Sequence, residues 1–229
     1  MTEADSKQEN RILPLGKLSI DKQILILKSY AAFYEKEHRA ASYKDIAPIA
    51  QTDETNVSAC KGFWESIGLL RAENGKSRPS PEAVNFSSKL TWNQMDEAWR
   101  AFRKIIRDVW FVRQLSMSMR VKSEQTEVEI INQLGAASGV TKREKKVDDS
   151  LRKLFELLVI SSVLVKKNED IFALNPELAS ERPPLTVKTD EDFVSVILDD
   201  GRYAVDSSLL KSFVREHGKK MSEADYMLS

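Results

Sequence analysis

Cysteine and histidine are scarce in this chain, which has one cysteine, Cys60, and two histidines, His38 and His217, among 229 residues. A single cysteine cannot close an internal disulfide, and such usage is typical of a reducing compartment. These few side chains also lack the paired spacing of a zinc site. We therefore expect no disulfide framework and no bound metal.

Long apolar segments are missing as well. The longest lies near residues 157–165 and is interrupted by Ser161 and Ser162, which leaves it far short of the roughly 20 residues that span a bilayer. The chain begins MTEADSKQENR, which is polar and lacks the apolar region of a secretory signal. These features predict a cytoplasmic protein without a membrane segment.

The chain has no excess of either charge, because 35 basic residues balance 35 acidic ones. A uniformly basic surface for nucleic acid is thereby excluded, so any such surface must be local. The strongest local excess runs from 99 to 122, where seven basic residues meet one acidic residue. Four of the seven lie at helical spacing on one face: Arg100, Arg103, Lys104 and Arg107.

Catalytic groups are equally few. Each histidine lies near the predicted end of a helix, where a positive side chain is favoured for electrostatic reasons. Cys60 falls on the apolar side of a predicted helix, which favours a buried, unreactive thiol. No glycine-rich phosphate loop occurs, and the acidic residues at 190–192 and 199–200 lack the ligand spacing of a calcium loop. We predict neither an enzyme nor a cofactor.

A series of helix and turn signals occupies residues 42–86, after a first helix predicted from Ser19. Ser42 and Asp45 have the spacing of a capping box that opens a second, short helix. Pro48 lies inside this helix, so it must occupy the first turn or kink the element. The third helix carries its apolar residues on one side, namely Val57, Cys60, Phe63, Trp64 and Ile67.

A β-hairpin is predicted after this third helix. Gly68 supplies the left-handed conformation that ends the helix. Strands are then expected over 69–72 and 76–78, joined by a tight turn. Ser80 followed by Pro81 indicates the cap and first position of a fourth helix.

This order of elements resembles the winged helix-turn-helix superfamily, which includes many bacterial and archaeal transcription regulators. The resemblance covers residues 19 to about 89 and is carried by the segments 45–47, 57–58, 63–70, 74–76 and 80–82. In that superfamily the third helix enters the major groove of DNA and the wing contacts phosphates or the minor groove. The resemblance therefore implies a DNA-binding transcriptional regulator.

Carried over to this chain, the resemblance implies three groups of DNA-binding residues. The third helix would present Thr55, Asn56, Ser58 and Lys61 to base edges. Phosphates would be held by Tyr43 and Lys44 at the start of the second helix and by Arg71, Lys76 and Arg78 of the wing. The basic face of Arg100, Arg103, Lys104 and Arg107 is open to two interpretations, as added phosphate contacts or as a solvated helix surface.

One long helix is predicted over 91–119, with an apolar stripe at Met95, Trp99, Phe102, Ile106 and Val109. The stripe is expected to pack inside the chain or, if unpaired there, to form the seam of a homodimer. Helices over 126–137 and 147–161 and a hairpin over 163–174 then repeat the earlier order of elements. The middle helix of this second copy is poorly marked, because 139–146 is polar and basic.

The predicted fold is mainly α with small β-hairpin wings: tandem winged-helix modules joined by a long helix, plus a small C-terminal α+β unit. The expected divisions are a disordered tail (1–18), a first module (19–90), a connecting and dimerisation helix (91–122), a second module (123–180) and the C-terminal unit (181–229). In that last unit, a hairpin over 193–205 about an Asp-Gly turn competes with a helix over 190–199. A final helix is expected over 207–217.

A protein-interaction scaffold is the alternative function. Winged helices also serve as assembly modules, in tandem arrays resembling those of endosomal-sorting and general transcription complexes. The segment 40–78 carries five basic and five acidic residues, and Glu54 and Glu65 fall on the third helix. Carboxylates at those positions would oppose a phosphate backbone.

Overall fold

The computed structural model describes residues 11–140, 144–180, 193–198 and 201–206. The chain divides into two compact units, Met1–Ser180 and Glu181–Ser229. The larger unit is mainly helical with two small antiparallel sheets, which confirms the predicted fold class at this level. In the described part of the chain, none of the helices is both long enough and apolar enough to cross a bilayer.

The first half of the larger unit follows the predicted order. Its elements are α1 (Ile20–Glu37), α2 (Tyr43–Ile49), α3 (Glu54–Ser66), β1 (Leu70–Glu73), β2 (Lys76–Pro79) and α4 (Pro81–Thr91). Ser19 caps α1, and Ser42 and Asp45 form both hydrogen bonds of the capping box at α2. Asn74 and Gly75 have φ values of 48° and 77°, the pair of positive values that a type I′ hairpin turn requires.

The position of Pro48 differs from the prediction. It is the sixth of the seven residues of α2, not a first-turn residue. The helix continues around it to a normal end, where the Ala50 amide donates to the Ile46 carbonyl at 2.9 Å. Proline lacks an amide hydrogen, so one helical bond is missing at Pro48, and α2 ends one residue later.

Residues 11–18, which the predicted disordered tail included, pack against the larger unit instead. Pro14 is buried, and Ile12, Leu13 and Leu18 lie against the core. The buried Gln23 amide holds this segment, since it donates to the carbonyls of Leu15 and Leu18 at 2.9 Å and accepts from the Leu15 amide at 3.2 Å. Residues 1–10 lie outside the described part of the chain.

The single helix predicted over 91–119 is wrong, because the structure contains two helices there, α5 (Met95–Ile106) and α6 (Trp110–Val121). Val109 between them is extended, with φ −73° and ψ 148°. Trp99, Ile106 and Trp110 are all buried in the same core. The apolar periodicity therefore continues across the break, which is why the sequence pattern did not reveal it.

The second half repeats the element order of the first. After α6 come β3 (Glu124–Thr126), α7 (Glu127–Ala137), α8 (Lys145–Ile160), β4 (Leu164–Lys166), β5 (Ile171–Leu174) and α9 (Pro176–Ser180). The sheet order is β3-β5-β4, and in the first half Ala41 bridges to Ser77 of β2, which pairs with β1. The second hairpin strand is thus central in both halves. The helix preceding β3 is α6, which lies within the predicted connecting segment.

The two halves share one hydrophobic core. Phe63 of α3 stacks on Phe111 of α6 with ring centroids 6.5 Å apart, and Phe86 of α4 lies 5.2 Å from Phe102 of α5. Gly16 rests against α8 so closely that a Cβ there would lie 2.8 Å from the Cβ of Asp149. The predicted apolar stripe is largely buried in this core, although Met95 remains 46% exposed. Its central residues are therefore not free to form a dimer seam.

The smaller unit contains the predicted hairpin. Strands β6 (Phe193–Leu198) and β7 (Gly201–Asp206) pair antiparallel, with Leu198 opposite Gly201. The competing prediction of a helix over 190–199 is therefore wrong for the residues that the structure describes. The helix predicted over 207–217 lies outside them.

Candidate nucleic-acid interface

The first turns of α3 present a polar surface to solvent. Thr55 and Ser58 are exposed and Lys61 is half-buried. Asn56 is held differently, because its amide nitrogen donates to the Thr52 hydroxyl at 3.3 Å while its amide oxygen is buried. The Asn56 side chain is bonded to the turn that precedes α3, so its amide nitrogen is not directed toward solvent. Three of the four predicted base-facing residues remain accessible.

The start of α2 lies beside the hairpin. Ala41 and Ser77 exchange backbone hydrogen bonds of 3.0 and 2.9 Å, which places Tyr43 and Lys44 close to the strand that carries Lys76. Lys44 and Lys76 are exposed, and Tyr43 is half-buried. We give the name α3 surface to six of the predicted DNA contacts, which lie at the start of α2, on α3 and on the hairpin: Tyr43, Lys44, Thr55, Ser58, Lys61 and Lys76.

Acidic side chains near the α3 surface have different roles. The pKa of Asp45 is lowered, mainly by hydrogen bonds from the Ser42 hydroxyl and amide and to a smaller extent by the charges of Arg39 and Lys76. Glu65 accepts a 2.7 Å hydrogen bond from the Ser77 hydroxyl, which ties α3 to β2. Glu54 is exposed in the first turn of α3. Of the two glutamates on α3 that were expected to oppose a phosphate backbone, Glu54 is exposed and Glu65 is bonded to the hairpin.

The two wing arginines line a different part of the molecule. Arg71 and Arg78 are directly opposite in the β1–β2 register. The guanidinium of Arg78 lies 4.7 Å over the ring of Tyr34 and donates to its hydroxyl. Both arginines border a cleft whose lining comes from α1, the hairpin and the start of α4. They are thus grouped with α1 and α4 rather than with the exposed turns of α3.

The basic face of α5 is partly structural. Arg103 is only 9% exposed, and its guanidinium donates to the Ser161 carbonyl at 3.0 Å and to a Glu177 carboxylate oxygen at 2.7 Å. The pKa of Glu177 is lowered chiefly by this bond and by the charge of Arg103, with smaller contributions from Arg100 and Lys104. Helical spacing predicted one basic face from these four residues, but Arg103 is buried and cannot serve as a phosphate contact.

The other three residues of that face remain accessible. Arg100 and Lys104 are exposed, whereas Arg107 is half-buried with its Nε 3.9 Å from a carboxylate oxygen of Asp108. An ion pair at that distance on the surface contributes little to stability. Arg100, Lys104 and Arg107 therefore remain available as a secondary basic patch.

Sequence reasoning missed a second group of basic residues. By element order, α8 is the counterpart of α3, and it exposes Lys145, Lys146 and Arg152. The hairpin of the second half exposes Lys166 and Lys167. The signal was present as the polar, basic run over 139–146, but the predicted helix began at 147, whereas α8 begins at Lys145 and so includes the end of that run.

The remaining candidates for chemistry among the described residues are the Cys60 thiol and possible metal ligands. Burial raises the pKa of the Cys60 thiol to about 12, which keeps it protonated and unreactive at neutral pH. The described residues contain no cluster of three or more His, Cys, Asp or Glu side chains able to hold a metal ion. No protein-family model, curated protein or solved structure matches the chain, so its function has to be argued from its own residues.

Proposed function

We propose that the chain is a DNA-binding protein, a transcriptional regulator built from two winged-helix modules. The proposal is supported by the element order, since each half has a helix, a short strand or bridge, two further helices and a hairpin whose second strand is central. That order is typical of winged helices, in which the third helix reads DNA. The second module would begin at α6 rather than at residue 123.

The observation that carries the DNA-binding proposal is the α3 surface. The bridge between Ala41 and Ser77 brings the start of α2 beside the hairpin strand. The first turns of α3, which follows α2 in the chain, are exposed. Threonine and serine can read base edges, while lysines hold phosphates. Three lysines contribute here, Lys44, Lys61 and Lys76. Three neutralised phosphates predict a slope of about −3 for log affinity against log salt.

The test is a salt series with random duplex DNA and the full chain. We expect measurable binding at low salt, with the slope of about −3 that three phosphate contacts give, or a steeper one if α8 also takes part. The double variant Lys61→Glu, Lys76→Glu should abolish binding while the fold is kept, because neither lysine is buried; the new pair of carboxylates at 73 and 76 should cost no more than about 1 kcal/mol. A matched double variant, Lys17→Glu, Lys22→Glu, makes the same charge change at two residues that are not part of the α3 surface and should bind nearly as wild type.

Two results would overturn DNA binding through the α3 surface. One is a slope near zero, or no binding at low salt. The other is an equal loss in the Lys17, Lys22 control, which would mean that the chain responds only to net charge.

The second candidate function is protein interaction, and an exposed tryptophan favours it. Trp92 is 77% exposed at the corner between α4 and α5, and Met95 beside it is 46% exposed. Tryptophan is enriched among residues that dominate binding energy in protein interfaces. If a homodimer forms through the 92–119 segment, this corner can contribute to it, because Trp92 and Met95 are exposed apolar residues of that segment. Sedimentation of wild type and Trp92→Ala tests this point: dimerisation lost in the variant supports it.

A further inference from the structure

We propose that the cleft between the β1–β2 hairpin, the end of α1 and the start of α4 binds a small organic phosphate monoester through Arg71 and Arg78. The cleft has a volume of about 580 Å³, within the range of about 300–1,000 Å³ that is usual for small-molecule sites. Its lining comes from α1, the hairpin and α4, and so does not include the α3 surface. The inference therefore stands independently of DNA binding.

The placement of the two arginines favours an anion. Because Arg71 and Arg78 are directly opposite in an antiparallel pair, their side chains leave the same face of the hairpin. Like charges in that arrangement destabilise a β-pair. An anion between the two guanidinium groups replaces this repulsion with two attractive contacts. Guanidinium groups match phosphate oxygens in geometry and donate paired hydrogen bonds to them.

The two arginines differ in how firmly they are held. Tyr34 fixes Arg78 from below through its ring and accepts a hydrogen bond through its hydroxyl. A guanidinium that is already oriented loses less freedom when a ligand binds. Arg71 is exposed and makes no ion pair or side-chain hydrogen bond with another described residue. It can therefore close on the ligand while Arg78 acts as the fixed side of the site.

The donors of the cleft outnumber the acceptors of a carboxylate. Two guanidinium groups offer several N–H donors, and the Tyr34 hydroxyl keeps its own proton to donate while accepting from Arg78. A phosphate monoester presents three oxygens and up to two negative charges, so it satisfies this set better than a carboxylate does.

The charged residues around the cleft do not cancel the positive charge of the two arginines. Glu73 shares the face of the arginines, with Lys76 directly opposite it. Glu82 is exposed, and its lowered pKa comes first from hydrogen bonds with its own amide and with Ser80, and only to a smaller extent from Arg71. Counting these three with the arginines, three positive groups meet two negative ones. A net positive site remains.

An apolar wall completes the cleft and indicates an organic ester rather than free phosphate. Pro79, Pro81 and Val84 line the side next to the arginines. These side chains offer no hydrogen bond, but they can cover the carbon skeleton of a ligand. The wall should therefore add affinity for an ester with an apolar body over inorganic phosphate.

Calorimetric titration of the full chain with phenyl phosphate tests the site. We expect Arg71→Gln to weaken binding by at least about tenfold, the size of effect that loss of one charge-assisted contact gives. Arg120→Gln makes the same charge change at an exposed position on α6 and should leave affinity unchanged. Inorganic phosphate should bind more weakly than phenyl phosphate. Equal affinity in wild type and Arg71→Gln, or no binding of phenyl phosphate at millimolar concentration, would overturn the proposal.

A second measurement separates a small ligand from the DNA backbone as the source of phosphate. Arg71→Gln should keep the wild-type affinity for duplex DNA, and DNA should not displace phenyl phosphate. If the variant loses both ligands and DNA competes with phenyl phosphate, the arginines serve the DNA backbone and the small-ligand assignment is wrong. Because Lys76 lies on the hairpin face of the arginines, the single variant Lys61→Glu is the one that reports on the α3 surface alone, and failure of either proposal is then recognisable.

Discussion

The two halves of the larger unit share an order of elements but are held together by different interactions. In the first half, one bridge at Ala41 and the bond between Ser77 and Glu65 attach the hairpin to the helices. In the second half, β3 forms a complete strand of the sheet, and Arg103 from α5 is bonded to Ser161 and Glu177. The second half thus depends on a residue from outside its own repeat.

This difference bears on which charged residues are free to bind a partner. In the first half Lys44 and Lys76 are exposed and Lys61 is half-buried, whereas the second half is held by an arginine from a basic helix face. Charged residues at equal helical spacing are therefore not equally available to bind a partner. A charged stripe read from a sequence includes both kinds of residue.

The largest expected loss of stability comes from removing a buried side chain where the two halves share a core. Phe111 on α6 is fully buried and stacks on Phe63 of α3. Phe111→Ala should lower the free energy of unfolding by about 4 kcal/mol, since it removes a buried aromatic ring and leaves a cavity. Trp92→Ala, at an exposed site, should change it by less than about 0.5 kcal/mol. Urea denaturation followed by circular dichroism measures both.

A different outcome of that experiment would change the comparison. If Phe111→Ala unfolds the second half while the first remains intact, the denaturation curve will show two transitions. The halves would then be separate folding units despite their continuous core.

A smaller loss is expected when the tie from α5 is removed. Arg103→Ala eliminates the bond to the Ser161 carbonyl, which is buried at the end of α8, and should cost about 2 kcal/mol of unfolding free energy. Arg100→Ala, one turn earlier and exposed, is the matched control and should be within about 0.5 kcal/mol of wild type. Equal stability of the two variants in urea would show that Arg103 is not a structural tie.

The helix signals were the part of the fold that the sequence predicted best. Ser19, Ser42 and Ser80 cap the expected helices, and Asn74 with Gly75 forms the expected turn. Such features act over a few residues, so a linear pattern contains them completely. The division of 91–119 into two helices was missed, because residues on both sides of the break face one core and keep the same periodicity.

The candidate site was less predictable than the fold. Helical spacing placed Thr55, Ser58 and Lys61 on the accessible side of α3, as the structure has them. The bond from Asn56 to Thr52 joins residues four apart on the chain, a local spacing that the prediction overlooked. The burial of Arg103 depends on contacts with Ser161 and Glu177, which are far along the chain and outside the pattern of its own helix. The position of Arg71 directly opposite Arg78 could be recognised only from the pairing register of β1 and β2.

The smallest predicted loss of stability comes from removing the hydroxyl of either of the two capping boxes. Ser42 with Asp45 opens α2, and Thr126 with Glu129 opens α7, each with both reciprocal bonds. At pH 7, Ser42→Ala should cost about 1 kcal/mol of unfolding free energy, and Thr126→Ala should give a comparable loss. Both acids have lowered pKa values, owing first to a side-chain hydrogen bond, from Ser42 for Asp45 and from Lys122 for Glu129.

The sign of the pH dependence follows from those directions. A carboxylate whose pKa is lower in the folded state stabilises the fold above its unfolded pKa, and the contribution is lost as the pH falls through the folded value. The stability difference between Ser42→Ala and wild type should therefore be full at pH 7 and shrink below about pH 4. For Thr126→Ala it should shrink less, because Lys122 rather than Thr126 is the main cause of the Glu129 shift. Thermal melts at pH 7 and pH 3 distinguish this from identical pH profiles, which would mean that both boxes depend equally on their hydroxyls.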